Sequence, residues 1–101
     1  MRERDIEDYL VKRVKAMGGE VRKVQWIGRV GAPDRLVMLP STCATGWGGQ
    51  EVEVPTTIWV ELKAPGAKPR PSQVREHERM RAMGQRVEVI DSLEGVEGLL
   101  S

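Results

Sequence analysis

Apolar residues at the start of the chain recur at the spacing of an amphipathic helix. Four of them share one helical face through steps of four, four and three positions: Ile6, Leu10, Val14 and Met17. Gly18 and Gly19 follow, and glycine is typical of the position just beyond a helix. The pattern therefore predicts a helix over residues 3–17 with one buried face.

Four later segments have the apolar composition of strands. They lie at residues 21–27, 35–39, 57–64 and 87–90. The stretch 40–55 is predicted to be a flexible loop or a hairpin arm, because it is rich in Ser, Thr and Gly while residues 50–54 alternate. Trp47 in this stretch either stacks on a nucleic-acid base or fills the edge of the core.

Two further helices are predicted from their start and stop signals. Ser72 is the expected N-cap of a helix over residues 73–83, which Gly84 ends. Residues 91–94 form a capping-box variant that opens a short last helix. The order α-β-β-β-α-β-α predicts an α/β fold with a mixed sheet flanked by helices. Its antiparallel strands are followed by a helical crossover that returns a parallel strand.

Length and composition indicate one small globular domain spanning residues 1–101. Hydrophobic residues make up 40% and charged residues 31%, and no apolar stretch approaches the ~20 residues of a membrane span. No signal-peptide core follows the charged start of the sequence. The single cysteine, Cys43, excludes an internal disulfide. These features lead us to expect a cytoplasmic protein.

Net charge is only +1, so overall basicity gives no argument for nucleic acid. The distribution is more informative, because the segment from residue 63 to residue 75 carries basic residues and no acid: Lys63, Lys68, Arg70 and Arg75. This segment either holds phosphates or keeps a proline-rich loop soluble.

Two carboxylates and a lysine are the candidate chemistry. Glu61 and Lys63 lie two positions apart on a predicted strand and therefore share a face. Apolar residues of the same strand then point to the other face: Ile58, Val60 and Leu62. If Asp34 on the neighbouring strand faces the same side as Glu61, the set can bind a divalent metal and stabilise a phosphate under attack. The alternative is an ordinary solvated strand face.

Short motifs follow one another along nearly the whole chain. They are Ile6-Glu7, Gly18-Gly19, Gly31-Ala-Pro-Asp-Arg-Leu-Val37, Trp59-Val-Glu-Leu-Lys-Ala-Pro-Gly66, Lys68-Pro-Arg-Pro71, Gln73, Met83-Gly84 and Val87-Glu-Val-Ile-Asp91. In this order they resemble the stand-alone VRR-NUC domain, a branch of the PD-(D/E)XK nuclease superfamily. The resemblance implies a restriction-endonuclease-like core, a metal-dependent nuclease, and phage or bacterial DNA processing.

The resemblance also implies roles for individual residues. Asp34, Glu61 and the backbone carbonyl of Leu62 would bind Mg²⁺ or Mn²⁺. Glu7 would bind a metal through water or hold a second one, although a glutamate at this place is ordinarily a surface charge on the helix. Lys63 would orient the attacking water and offset charge on the phosphate.

Residues of the second helix and the loop before it complete the predicted site. Gln73 either steers Lys63 or a phosphate, as the resemblance implies, or bonds the preceding loop. Lys68, Arg70 and Arg75 are the candidate DNA-binding residues. His77 is expected to be a packing residue without a catalytic role.

The leading hypothesis is a metal-dependent endodeoxyribonuclease for branched DNA such as Holliday junctions, and the junction preference rests on the resemblance alone. The alternatives are a non-catalytic DNA-binding module that serves recruitment, a structural subunit of a phage replication complex, and a nicking or flap-trimming nuclease. We expect a homodimer, because symmetric incision of a junction needs two sites. The first helix and residues 40–55 are the expected contact surfaces.

Overall fold

In the part of the chain that the structure describes, three α-helices flank a four-stranded mixed sheet. The computed structural model describes the backbone of residues 1–45 and 47–101 and the side chains of residues 1–40, 48–51 and 56–101. Its elements are α1 (Glu3–Ala16), β1 (Glu20–Lys23), β2 (Arg35–Thr45), a short helical turn (Trp47–Gly49), β3 (Glu51–Leu62), α2 (Pro71–Ala82), β4 (Val87–Ile90) and α3 (Leu93–Leu100). The predicted fold class is confirmed. The expectations for the Trp47 side chain fall outside the described residues.

The strands lie in the order β1-β2-β3-β4. The first three are antiparallel neighbours, and α2 returns the chain so that β4 lies parallel to β3. Strands β2 and β3 remain paired as far as Thr45 and Glu51, with an irregular register between Leu39 and Thr42. Much of the stretch 40–55 therefore belongs to these two strands.

The hydrophobic core lies between one face of the sheet and the pair α1 and α3. Its buried members are Ile6, Leu10, Val14, Val37, Ile58, Val60, Leu62, Ile90, Val96 and Leu99. The predicted alternation of β3 is confirmed, because Ile58, Val60 and Leu62 face this core and Glu61 does not. Met17 is an exception to the predicted helix stripe, since it caps the end of α1 and is exposed. The apolar face of α1 is covered within one chain by the rest of this core.

Besides β2 and β3, the boundaries of two further elements, β1 and α2, differ from the sequence predictions. β1 ends at Lys23 and not at residue 27, and it is followed by a loop in which Gly28 and Gly31 adopt positive φ angles of 72° and 86°. The predicted N-cap Ser72 is wrong: Arg70 caps α2 and Pro71 is its first residue, a position that suits the fixed φ of proline.

The last helix begins one residue later than its sequence signal predicted, because the capping box of residues 91–94 has Asp91 in the N-cap position. Ser92 is the N-cap of α3, and its hydroxyl accepts a hydrogen bond from the Gly95 N–H at 2.9 Å. Within the described residues, no helix combines the length and apolar content that a membrane crossing requires.

Candidate active site

A polar cavity of about 300 Å³ opens where the end of β3, the residues before β2 and the start of α2 meet. Most of the predicted site residues line it: Asp34, Glu61, Leu62, Lys63, Arg70 and Gln73. The other predicted residues, Glu7, Lys68 and Arg75, do not line this cavity. The sheet and α2 thus bring together residues that are far apart in the sequence.

Asp34 and Glu61 form an acidic pair on the α2 side of the sheet. Arg35 is the register partner of Val60, so the preceding Asp34 falls beside Glu61. The main-chain carbonyl of Asp34 accepts a hydrogen bond from the Val24 N–H at 2.9 Å, which fixes the backbone at this point. Glu61 is only 7% exposed, whereas the Asp34 side chain is 55% exposed.

The environment of Glu61 disfavours its ionised form. Burial raises the pKa of the Glu61 carboxyl to about 7, and the negative charge of Asp34 adds to the increase. The positive charges of Lys63 and Arg70 act in the opposite direction. The folded protein therefore holds a carboxylate that is costly to ionise until a positive charge lies against it.

This shift predicts how the stability of the metal-free protein depends on pH. The folded pKa exceeds the unfolded one, so the free energy of unfolding should fall as pH rises from about 4.5 to about 7. Because one pKa unit equals about 1.4 kcal/mol, ionisation of Glu61 costs the fold on the order of 3 kcal/mol. Urea denaturation in EDTA should show that Glu61→Gln removes this slope and is more stable than the parent at pH 8. If the free energy of unfolding of the variant depended on pH as it does in the parent, the loss of stability at higher pH would not arise from Glu61.

Gln73 holds Lys63 in the cavity. The Gln73 Oε1 atom accepts one hydrogen bond from Lys63 Nζ at 2.7 Å and another from the Arg70 backbone N–H at 2.8 Å. The two alternatives considered for this glutamine therefore occur together, because it both steers the lysine and bonds the preceding loop. The ammonium is positioned by a side chain whose own location is fixed by the start of α2.

Arg35 links the first helix to the acidic pair. Its Nε donates to Glu7 Oε2 at 2.6 Å, and its Nη1 lies 3.0 Å from Asp34 Oδ2. The strand register places Arg35 on the α1 face, opposite to Asp34, yet its long side chain reaches the cavity. Glu7 therefore acts here as the anchor of Arg35, while Glu3, one turn earlier on α1, lines the cavity.

His77 lies against the acidic pair from α2. The side chain is 1% exposed, and its Nε2 atom is 3.8 Å from Glu61 Oε1. Among the described side chains, Nε2 is a buried polar atom without a hydrogen-bond partner. Burial lowers the pKa of His77, and the nearby charge of Arg81 does so as well. The ring shields Glu61 from solvent and contributes to the burial that raises the pKa of this carboxyl.

Comparison with known proteins places this site in a family. No protein-family model matches the chain. A relative from Acyrthosiphon pisum secondary endosymbiont phage 1, "Putative nuclease p44", is 45% identical over 92 residues, which cover 91% of this chain and 85% of that protein. A solved structure described as a VRR_NUC domain is 39% identical, covers 97% of this chain and 92% of its own, and superposes with a TM-score of 0.75. The chain belongs to the VRR-NUC nuclease family.

The acidic pair of this VRR-NUC domain fits a hydrated hard cation. Among the described side chains, no group of three His, Cys, Asp or Glu is placed to enclose a metal ion. Asp34 and Glu61 offer two carboxylates. The Leu62 side chain is in the core, so it is the main chain of Leu62 that lines the cavity. Mg²⁺ typically takes one or two carboxylates and keeps several waters, so this donor set suits Mg²⁺ or Mn²⁺.

Sequence reasoning missed the contributions of Glu3, Arg35 and His77 to the VRR-NUC site. Each of them reaches the cavity or the acidic pair through the tertiary fold and not through a local motif. The sequence signal for Glu3 was available, because it lies one helical turn before Glu7 and on the same side of α1. No comparable signal existed for the long reach of Arg35 or for the depth at which His77 is buried.

Proposed function

We propose that this VRR-NUC protein is a Mg²⁺- or Mn²⁺-dependent endonuclease that hydrolyses phosphodiester bonds in structured DNA. One observation supports the proposal above all: Asp34, Glu61 and Lys63 meet in a single polar cavity. Phosphodiester hydrolysis needs an activated water, a Lewis acid and compensation of charge on the phosphoryl oxygens. The residues of this cavity match those requirements.

Each group of the cavity then has a distinct role. A bound divalent cation supplies Lewis-acid charge and lowers the pKa of water. Asp34, Glu61 and the carbonyl of Leu62 are the groups that would hold it. Lys63 donates one N–H to Gln73 and directs its remaining N–H groups to the attacking water or a phosphoryl oxygen. Lys63, held in place by Gln73, therefore acts as a charge stabiliser.

Basic residues near the cavity are suited to the DNA backbone. Arg70 lines the cavity, while Lys68 in the preceding loop and Arg75 on α2 are exposed. These side chains would hold phosphates and so position the strand without reading its sequence. Recognition by shape and phosphate agrees with branched DNA, such as a Holliday junction, as the substrate.

Cleavage of a panel of DNAs tests the proposed function. Labelled linear, flap and four-way-junction DNAs of matched sequence are incubated with Mg²⁺, Mn²⁺ or EDTA. We expect cleavage only with metal, and preferentially of branched DNA. Cleavage in EDTA would refute metal dependence, and tight binding without cleavage under every condition would favour the recruitment module.

We further propose that the working form is a homodimer. One chain carries one such cavity among its described residues, whereas paired incision of a junction needs two. Because the apolar face of α1 is covered, the β2–β3 hairpin is the remaining expected contact. Light scattering at micromolar concentration should give a mass near twice the 11.3 kDa of one chain. A mass of one chain, unchanged by junction DNA, would refute the dimer and the paired cut.

A further inference from the structure

The loop between β1 and β2, residues 24–34, exposes apolar side chains beside the cavity. We call it the rim loop. Ile27 is 97% exposed and Val30 is 75% exposed, with Arg29 between them on the same turn. Single exposed apolar residues are common, but two branched side chains at the tip of one short loop form a local apolar surface.

The rim loop is held in place although its tip is exposed. Trp26 Nε1 donates to the Pro33 carbonyl at 2.7 Å, and the Trp26 ring packs on Trp59 with centroids 5.2 Å apart. A Cβ on Gly31 would lie 2.5 Å from the Ser72 carbonyl oxygen, so the loop also packs closely on the start of α2. These contacts fix the part of the rim loop near the sheet, which holds the exposed tip in place.

A further anchor joins the tip itself to α2. Arg29 Nη1 lies 3.5 Å from Oε1 of Glu76, whose carboxylate is buried and also paired with Arg79. The Arg29 side chain still remains 53% exposed. Its guanidinium is thus positioned at the tip with one side open to a further partner.

The position of the rim loop indicates which partner it meets. Gly31 and Ala32 line the cavity, and the loop ends at Asp34. Val30 directly precedes these lining residues, so the apolar tip lies next to the place where a phosphate would enter the cavity.

The charge of the loop agrees with nucleic acid. No acidic residue occurs from residue 24 to residue 33, Arg29 of the loop is half-exposed, and Arg70 lines the cavity. Proteins that bend or open DNA combine such cationic groups with apolar side chains that enter between base steps.

We propose that Ile27 and Val30 form an apolar wedge that packs against bases of the DNA next to the phosphate held in the cavity. This inference rests on the proposed nuclease function and refines its substrate class. Separating stacked bases costs a few kcal/mol per step. DNA whose stacking is already interrupted, at a branch point or a nick, avoids much of this cost. The wedge therefore favours branched DNA over a continuous duplex.

The experiment compares an Ile27→Ser/Val30→Ser double variant with Met83→Ser. Met83 is 71% exposed at the end of α2 and does not line the cavity, so it controls for loss of an exposed apolar side chain. All proteins also carry Lys63→Ala, so that binding is measured without cleavage. The probe is a four-way junction with 2-aminopurine beside the branch, in Mg²⁺, together with a linear duplex of the same sequence.

We expect 2-aminopurine fluorescence to rise when the Lys63→Ala protein binds the junction, because the base leaves its stack. The double variant should lose this rise and bind the junction at least tenfold more weakly, while Met83→Ser changes neither. Unchanged affinity and fluorescence in the double variant would overturn the wedge. Conversion of a dimer to a monomer by the same substitutions would overturn it in favour of a second copy of the chain.

The wedge and the proposed function fail separately. The binding assay requires no cleavage, so it reports on the wedge even if the parent protein cuts no DNA in the panel. If the parent cleaves junctions and the double variant binds them as tightly as its Lys63→Ala parent, the proposed nuclease function stands and the proposed wedge is wrong.

Discussion

Replacing Asp34 by Asn or Glu61 by Gln is expected to abolish DNA cleavage while the fold is retained. Both substitutions keep the size of the side chain and remove the negative charge that a divalent cation requires. The loss should be at least the roughly 10² to 10³ that follows removal of one preorganised charge-stabilising group. Initial cleavage rates of a labelled junction in Mg²⁺, measured beside urea denaturation, give both quantities.

A matched control separates this effect from a general change of charge. Glu78 is an exposed acid on α2 that does not line the cavity, so Glu78→Gln should cleave at the parent rate. Calorimetric titration with Mn²⁺ should show weakened binding in Asp34→Asn and Glu61→Gln only. Full cleavage by either variant would remove the acidic pair from the mechanism.

Replacing Glu61 by Gln is expected to change stability and activity in opposite directions. The buried carboxylate has a pKa raised to about 7, so the metal-free fold is strained when Glu61 is ionised. Glu61→Gln should therefore gain stability at pH 8 as it loses activity. Residues selected for packing alone do not behave in this way, whereas strained functional groups do. Asp34 is mostly exposed, so Asp34→Asn should lose activity without a comparable gain.

Much of the fold could be predicted from local sequence patterns. The spacing of Ile6, Leu10 and Val14 predicted the buried face of α1, and these residues are fully buried. The alternation of β3 predicted that Val60 and Glu61 face opposite sides, and the core contains the first and not the second. Such patterns succeed because burial has the period of the element that carries it.

The predictions failed where a local signal competed with a neighbouring one. Ser72 is a good N-cap by residue type. Proline is favoured at the first position of a helix, however, and Pro71 occupies that position. The Gln73 side chain also accepts a hydrogen bond from the Arg70 N–H, which supports Arg70 as the N-cap. The helix α2 therefore starts two residues earlier than predicted, at Pro71 and not at residue 73. β1 ends four residues before its apolar pattern does, and the chain continues in the rim loop, where Gly28 and Gly31 adopt positive φ.

The candidate site was predictable only in part, for a physical reason. Strand register brings Asp34 beside Glu61, and the order of elements makes that register plausible from sequence. Contacts made by long or buried side chains depend on the packing of whole elements. The reach of Arg35 to Glu7 and the approach of His77 to Glu61 are of this kind. Strand alternation alone turns Arg35 away from Asp34, and the sequence predicted only a packing role for His77.

Lys63→Ala is expected to slow cleavage by on the order of 10² or more while metal binding survives, as loss of a preorganised charge stabiliser does. Lysine has no lone pair to offer a metal while it is protonated, so the acidic pair should retain its affinity. The ammonium is held by Gln73 at 2.7 Å, which directs it into the cavity before substrate arrives. Gln73→Leu should therefore reproduce part of the loss, because the lysine remains but is no longer oriented.

Single-turnover cleavage rates and Mn²⁺ calorimetry on the same protein samples decide the role of Lys63. Lys12→Ala, at an exposed position on α1 that does not line the cavity, is the control for loss of a positive charge and should match the parent. Because Lys63 also opposes the rise in the Glu61 pKa, the variant should need a slightly higher pH for full metal binding. If Lys63→Ala lost its affinity for Mn²⁺ but kept the single-turnover cleavage rate of the parent, Lys63 would support metal binding and not the transition state. The roles assigned to the lysine and to the carboxylates would then be wrong.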